Sequence, residues 1–190
     1  MKKIVMMVVA AIMATMNVQA QSDFSRHEVA VSYGELSNSE WIDILEQITI
    51  TMVTGAKYGK EKFTGAFSAE YFYHPKEWLA IGGIFVYGRS RQEVYFLSDN
   101  IGDYTNRYYT LMPALKFDWL RTKYFGMYSK VAFGATLRTE HFDDKNESKV
   151  HFNWQASGIG IEAGAPHVRA FAELGVGEQG IILGGIRCKF

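Results

Sequence analysis

Segments in which apolar residues alternate strictly with small or polar residues are the feature of this sequence that most restricts its fold. One such segment reads FTGAFSAEYFY from Phe63, and another reads YYTLMPALKFDWL from Tyr108. Successive side chains of a β-strand point to opposite faces, so this alternation indicates strands with one apolar face. Beyond residue 20, no apolar run has the length of a membrane-spanning helix. We therefore predict an all-β chain.

The segments and their connections predict an eight-stranded antiparallel up-and-down transmembrane β-barrel. Short connections around HPKEW, LRTKY and GAPHV alternate with longer ones at 37–60, 91–105 and 140–148. Short turns at one end and long loops at the other are typical of outer-membrane barrels, and they place both termini at the periplasmic end. A β-bulge near Ser157 and Gly158 would explain the irregular alternation of the sixth strand. The predicted strands are 27–36, 61–74, 79–90, 106–120, 124–139, 149–163, 168–177 and 180–190.

The first long connection contains a predicted short helix. Ser37 and Glu40 have the spacing of a capping box, and Leu36 and Trp41 that of a hydrophobic staple. Apolar residues continue at helical spacing, namely Trp41, Ile44, Leu45 and Ile48. A helix packed against its own barrel is the simpler interpretation. A helix that lies on the membrane surface or caps the barrel mouth is the alternative.

Residues 1–20 have the pattern of a secretory signal peptide. Lys2 and Lys3 precede the apolar run IVMMVVAAIMATM, and VQA ends at Ala20 with residues suited to cleavage. We predict a signal peptide over 1–20 and a β-barrel domain over 21–190. The expected location is the outer membrane of a Gram-negative bacterium.

Charge and cysteine content exclude several function classes. The sequence has 20 basic and 20 acidic residues and no long basic run, so it lacks the clustered positive charge that is typical of nucleic-acid-binding proteins. Cys188 is the single cysteine, which rules out an intramolecular disulfide and a cysteine-based metal site.

The residue types on the two strand faces predict which face meets lipid. The polar face is mostly Gly, Ala, Ser and Thr, which suits the narrow lumen of an eight-stranded barrel, whereas a water-facing surface would carry many long charged side chains. The isolated charges on this face have mixed signs and are expected to neutralise one another: Glu28, Glu70, Lys116, Asp118, Lys130, Arg138, Glu173 and Arg187. Aromatic residues beside the short turns predict an interfacial girdle: Tyr71, Tyr73, Trp78, Trp119, Tyr124 and Phe125.

No catalytic, cofactor or metal site is predicted. The five histidines are scattered, and none has metal-ligand spacing with another histidine. His141 with Asp143 and Asp144 is the one cluster that a lipid-acting outer-membrane enzyme could use, but a charged, solvated loop tip is the simpler explanation. The sequence has no nucleotide-binding G-x-G-x-x-G motif between a predicted strand and a predicted helix.

The C-terminal stretch AFAELGVGEQGIILGGIRCKF resembles the last hairpin of small bacterial outer-membrane β-barrel proteins, the opacity-protein-like eight-stranded group. Gly185 and Phe190 match the family's terminal assembly signal, while Cys188 stands where an aromatic residue is usual. The resemblance implies partners during biogenesis, namely the barrel-assembly machinery and periplasmic chaperones. It implies a fold and a compartment but no activity.

These observations together predict a non-enzymatic outer-membrane barrel in contact with lipid, with a filled lumen. Its long extracellular loops would serve envelope structure or bind a partner that the sequence does not identify. A lipid-acting enzyme and a soluble periplasmic lipid-binding barrel are the alternatives. A wide pore is not expected, because eight strands leave no aqueous channel.

Overall fold

The structure is a computed structural model that describes residues 25–40, 57–58, 62–96, 99–142 and 145–190. The predicted signal peptide lies outside these residues. Of the predicted loop helix, only the first turn is described: residues 38–40 are helical, and the Glu40 amide donates to Ser37 Oγ over 3.3 Å, as a capping residue requires. Trp41 and the apolar residues after it lie outside the described residues.

The described part of the chain contains nine strands, eight of which are long. Strand β2 is a two-residue segment that pairs with β4. The strands are β1 (His27–Glu35), β2 (Lys57–Tyr58), β3 (Lys62–Lys76), β4 (Leu79–Phe96), β5 (Asp99–Arg121), β6 (Phe125–Phe142), β7 (Lys145–Gly164), β8 (Val168–Gly177) and β9 (Ile182–Lys189). No helix in the described ranges has the length and apolar character needed to cross a membrane.

The eight long strands form a closed antiparallel ring. The order β4-β3-β1-β9-β8-β7-β6-β5 closes through the pairing of β4 with β5. Consecutive long strands are neighbours throughout, so the topology is up-and-down, as predicted. Closure gives each long strand two partners and removes the unpaired edges that an open sheet would present.

The last strand pairs with the first, as closure of the predicted barrel requires. Glu28 lies opposite Lys189 and Glu35 opposite Ile182. Beyond β9, Phe190 donates its amide to the His27 carbonyl over 2.9 Å and accepts the His27 amide over 2.8 Å. The Phe190 ring stacks on the His27 ring with centroids 5.7 Å apart. Phe190 is therefore fixed at the rim of the barrel that carries the β3–β4, β5–β6 and β7–β8 turns.

Two of the predicted long connections are wrong in detail. β4 continues to Phe96 and β5 begins at Asp99, so most of 91–105 is strand. Similarly, β6 reaches Phe142 and β7 begins at Lys145, so most of 140–148 is strand. Continued pairing with the neighbouring strand satisfies the backbone of these polar segments, although they lack the alternation on which the prediction relied.

Two strands lack a clean alternation of apolar and polar residues, and the reasons differ. In β7 the register shifts between Ser157 and Ile159, so the expected bulge is present. Gln155 faces inward before the bulge and Glu162 after it. In β4 the alternation is regular, but both faces are apolar. Its inner residues join a buried apolar cluster: Ala66, Phe72, Ala80, Ile84, Val86, Met112, Ala114 and Ala132.

Glycines on the inner face make room for large side chains in the lumen. At Gly160, an added Cβ would lie 2.5 Å from Cε2 and Cζ of the fully buried Tyr128 ring. At Gly158, on the bulge of the same strand, an added Cβ has no atom within 4 Å. The position of Tyr128 therefore depends on the glycine at residue 160.

We expect Gly160→Ala to lower the free energy of unfolding by about 1–3 kcal/mol, because the extra methyl overpacks the lumen against Tyr128. Gly158→Ala, two residues away on the same strand, should change it by less than about 0.5 kcal/mol. Urea unfolding of the refolded proteins measures both changes. Equal effects of the two substitutions would contradict this account of the Tyr128 pocket.

Candidate functional site

The barrel interior holds charged side chains because every second residue of each strand faces inward. Most of the predicted lumen charges are at most 2% exposed, as Glu70, Lys130 and Arg187 illustrate. The residues next to them in each strand face outward. The inner charges therefore come from several strands and converge in one narrow space.

Arg187 on β9 is the centre of this network. Its guanidinium lies 2.8 Å from Glu162, 3.5 Å from Glu70, 3.6 Å from Glu28 and 3.8 Å from Glu173. The guanidinium carbon also lies over the rings of Tyr128 and Phe171, at 4.5 and 4.4 Å from their centroids. One fully buried cation thus contacts carboxylates from β1, β3, β7 and β8. Glu173 and Arg187 are not directly opposite in the last hairpin, since Glu173 pairs with Leu183.

A second cation, Lys130, joins the central carboxylates on the other side. Its Nζ lies 2.6 Å from Glu70 and 2.9 Å from Glu173. The Tyr128 hydroxyl donates to Glu173 over 2.7 Å, and the Gln179 amide donates to Glu70 over 2.7 Å. Each buried carboxylate is therefore paired and hydrogen-bonded, as burial of charge requires.

A third group lies toward the end of the barrel with the β3–β4, β5–β6 and β7–β8 turns and has the ligand types of a metal site. Single ligand atoms of Glu28, His74 and Asp118 lie within 4.8 Å of one another. However, Lys116 Nζ is 2.7 Å from Glu28 and 3.2 Å from Asp118. Arg121 Nη1 is 3.0 Å from His74 Nδ1. Two basic groups already occupy the positions where a cation would be attracted, so the arrangement is that of a salt-bridge network.

The sequence did not single out Glu162 and Arg169, which complete the network. Arg169 donates to Glu162 over 2.7 Å and to the carbonyls of Thr122 and Lys123 over 2.7 and 2.9 Å. It therefore ties the β5–β6 turn to the barrel wall. Lys189 is also buried against Glu162 and lies 3.4 Å from Glu28. The bulge in β7 reverses the alternation, which is why the pattern did not reveal that Glu162 faces inward.

Arg138 lies nearer the extended hairpins than the other predicted lumen charges. It is buried on β6 toward the extended hairpins, and its guanidinium carbon lies 5.8 Å from the centroid of the Tyr108 ring. The other seven predicted charges are linked through Arg187, Lys116 and Lys130.

At the end of the lumen opposite the β3–β4, β5–β6 and β7–β8 turns, neutral groups donate hydrogen bonds to one buried carboxylate. Glu178 lies in the turn between β8 and β9 and is 2% exposed. It accepts hydrogen bonds from the Ser39 amide and hydroxyl over 3.1 and 2.7 Å, from Asn153 over 2.7 Å and from Thr110 over 3.1 Å. The first turn of the loop helix is therefore attached to the barrel mouth.

The remaining predicted residues lie at the barrel surface or seam. The six girdle aromatics are exposed, with relative accessibilities between 38% and 61%, and all lie near the short turns. Gly185 allows close contact across the seam, because an added Cβ would lie 2.1 Å from the Val31 carbonyl oxygen. The backbone of His141 is described as strand, whereas its side chain and residues Asp143 and Asp144 lie outside the described part.

We expect Arg187→Met to lower the free energy of unfolding by about 3–5 kcal/mol, because it leaves buried carboxylates without their shared cation. Adding Glu162→Gln should cost less than the sum of the single substitutions, since the two residues are in contact. The exposed Lys123→Met is the control and should change stability by less than about 0.5 kcal/mol. If Arg187→Met were as mild as this control, the lumen charges would not stabilise one another.

Glu178 should make the stability of the barrel mouth depend on pH. Burial raises the pKa of the Glu178 carboxyl above 4.5, and the hydrogen bonds from Ser39, Asn153 and Thr110 oppose this only partly. Below pH 4.5 the Glu178 carboxyl is protonated in both the folded and the unfolded protein. As pH rises through the raised pKa, the unfolded chain ionises first, so the free energy of unfolding falls.

Glu178→Gln should remove this contribution to the fall in the free energy of unfolding with rising pH. Unfolding measured across the pH range would show the difference. Ser39→Ala removes a donor to the carboxylate and should make the decline steeper. A Glu178→Gln protein with the same pH dependence as the wild type would contradict the assignment.

Comparisons with known proteins find similarity at the level of fold. No protein-family model matches the sequence, and no curated protein gives a significant match. A structure of Ail, the attachment invasion locus protein of Yersinia pestis, in complex with the heparin analogue sucrose octasulfate, is 16% identical and covers 87% of this chain and 99% of its own, with a TM-score of 0.47. The N-terminal β-barrel domain of Pseudomonas aeruginosa OprF is 11% identical and covers 88% of this chain and 100% of its own, also with a TM-score of 0.47.

The fold follows from the strand order of this chain itself. Eight long strands pair antiparallel with their sequence neighbours, and the last pairs with the first. The chain is a closed eight-stranded up-and-down β-barrel, the fold of the small outer-membrane barrel proteins.

Proposed function

We propose that this protein is a non-enzymatic integral barrel of the outer membrane of a Gram-negative bacterium. Its lumen is filled, and its extended hairpins face the outside of the cell, where they serve envelope structure or bind a surface partner. The mature chain is exported by the signal peptide over residues 1–20. The proposal depends on the outward face of the barrel.

The outward face of β5 carries this proposal. Every outward residue from Tyr109 to Trp119 is apolar, with Leu111 65% and Leu115 39% exposed. Arg107 and Arg121 flank the stretch. A tilted strand needs roughly 9–11 residues to cross a bilayer, which is the length of this apolar segment. A water-soluble protein would not leave such a band exposed.

The same band continues around the barrel at matching registers. Ile81 lies opposite Leu115, and Leu115 lies opposite Val131. Farther around, Phe133 lies opposite Trp154. The band ends near the short turns at the exposed aromatic residues, which favours an interfacial girdle at the periplasmic boundary. This orientation directs the extended β4–β5 and β6–β7 hairpins away from the periplasm.

The filled lumen argues against a soluble carrier of lipids. Such a carrier needs an apolar cavity inside and a polar surface outside. Here the centre of the barrel holds Arg187, Lys130 and their carboxylate partners, while apolar residues such as Phe152 are 69% exposed. Paired charges in the lumen also favour a closed barrel over a water-filled channel.

The ordered terminal strand supports the proposed assembly signal. Phe190 is held by two backbone hydrogen bonds to His27, and Gly185 allows close contact with β1. We propose that the barrel-assembly machinery, after delivery by periplasmic chaperones, recognises this strand before it pairs with β1.

Leu115→Arg tests the membrane placement. Leu115 lies near the middle of the apolar stretch of β5, so an arginine there should lower the stability of the bilayer-inserted protein by about 2–4 kcal/mol. Ser148→Arg, on the exposed outward face of β7 beyond the apolar band, is the control and should cost about 0–1 kcal/mol. The measurement is urea unfolding from phospholipid vesicles. Unchanged stability of the Leu115→Arg protein would mean that lipid does not cover this face.

A further inference from the structure

The outward face changes from apolar to basic at one register level on the extracellular side. Tyr87 lies directly opposite Tyr109 in the β4–β5 hairpin, and their ring centroids are 5.4 Å apart. One step farther from the periplasm, Arg89 lies directly opposite Arg107. Directly opposite residues have Cβ atoms about 4.5–5.5 Å apart, so the two arginines are immediate neighbours.

This arginine pair has no neutralising partner within the described part of the chain. Arg89 is half-buried and its Nε is buried without a hydrogen-bond partner, while Arg107 is exposed. Like charges directly opposite each other destabilise a strand pair. Arg89 and Arg107 therefore repel each other, and the described side chains place no carboxylate against either of them.

Basic residues at the other end of the barrel are accommodated differently. Arg121 donates to His74 and to the Ser25 carbonyl, and Arg169 donates to Glu162. Lys76 and Lys123 lie over the rings of Trp78 and Tyr124, at 5.7 and 5.6 Å from their centroids. The pair on β4 and β5 thus differs from these basic residues in having no such contact with any described side chain.

The surroundings of the pair match the headgroup region of a bilayer. The two tyrosines mark an interface, where amphipathic rings are favoured. Guanidinium groups bind phosphate through two parallel hydrogen bonds, and two of them can share one phosphate or two adjacent ones. Thr139 lies opposite Arg107, and Ser148 lies opposite Thr139, so hydroxyl-bearing residues continue the same level of the barrel.

We propose that Arg89 and Arg107 form a binding site for the phosphate group of an anionic lipid in the outer leaflet. This inference rests on the membrane placement proposed above. The acyl chains of the lipid lie along Tyr87, Tyr109 and the apolar residues below them. The phosphate occupies the space between the guanidinium groups and neutralises the cross-strand repulsion.

Spin-labelled lipids test the site in the full-length mature protein. The protein is inserted into phosphatidylcholine vesicles that contain either spin-labelled phosphatidic acid, as the phosphate-bearing probe, or spin-labelled phosphatidylcholine. The fraction of motionally restricted lipid gives the preference for the anionic probe. A basic residue near an anionic surface raises association about fivefold, so Arg89→Gln/Arg107→Gln should lower the preference by at least about fivefold.

The matched control removes two charges from the opposite end of the same surface. Lys76→Gln/Lys123→Gln should leave most of the preference intact. An equal loss in both double variants would overturn the proposal, because it would indicate a general attraction to basic residues. Inorganic phosphate at constant ionic strength should not compete. Loss of the preference on its addition would assign a soluble anion to the site and overturn the lipid assignment.

The proposed function fails in a different way from the site. If the wild-type protein restricts no lipid of either kind, the barrel is not embedded in the bilayer, and both proposals are refuted. If the wild type restricts both lipids equally, the membrane placement holds and only the arginine site is refuted.

Discussion

Neutralisation of charge inside a closed barrel is the constraint on which the rest of this structure depends. Arg187 alone contacts carboxylates on four other strands, and Lys116 and Lys130 join further pairs. A buried charge without a partner costs several kcal/mol, so these strands are stable only when they are assembled together. The network therefore links the closure of the ring to the identity of the residues inside it.

This constraint also determines where small residues and bulges occur. The ring of Tyr128 fits in the lumen because residue 160 is glycine, and its hydroxyl donates to Glu173. The bulge at Gly158 turns Glu162 inward, where it contacts Arg169, Arg187 and Lys189. Without that bulge, alternation would place Glu162 on the apolar face. A local irregularity of the backbone thus supplies the lumen with a carboxylate that three cations share.

Much of this architecture could be predicted from alternation, because a period of two encodes both the strand and its faces. The seam between β1 and β9 and the range of β8 agree with the sequence prediction. The hairpin extensions to Phe96 and Phe142 could not be found this way, since strands above an apolar band have no reason to alternate. The lumen positions of Glu162 and Arg169 were not predicted. The inward direction of Glu162 depends on the bulge, and the position of Arg169 depends on its hydrogen bonds to turn carbonyls. Such contacts depend on tertiary structure and leave no periodic signal.

The two ends of the barrel are held by different hydrogen-bonding groups. At the end with the β3–β4, β5–β6 and β7–β8 turns, Arg121 and Arg169 bind carbonyls of the N-terminal segment and the β5–β6 turn, so charge fixes the short connections. At the opposite end, Ser39, Thr110 and Asn153 donate to Glu178, and no basic group is among its described contacts. Gln179, the next residue, donates to Glu70 in the central charge network. The central network therefore also fixes the β8–β9 turn, so the closure of the ring and the position of this turn depend on the same buried carboxylate.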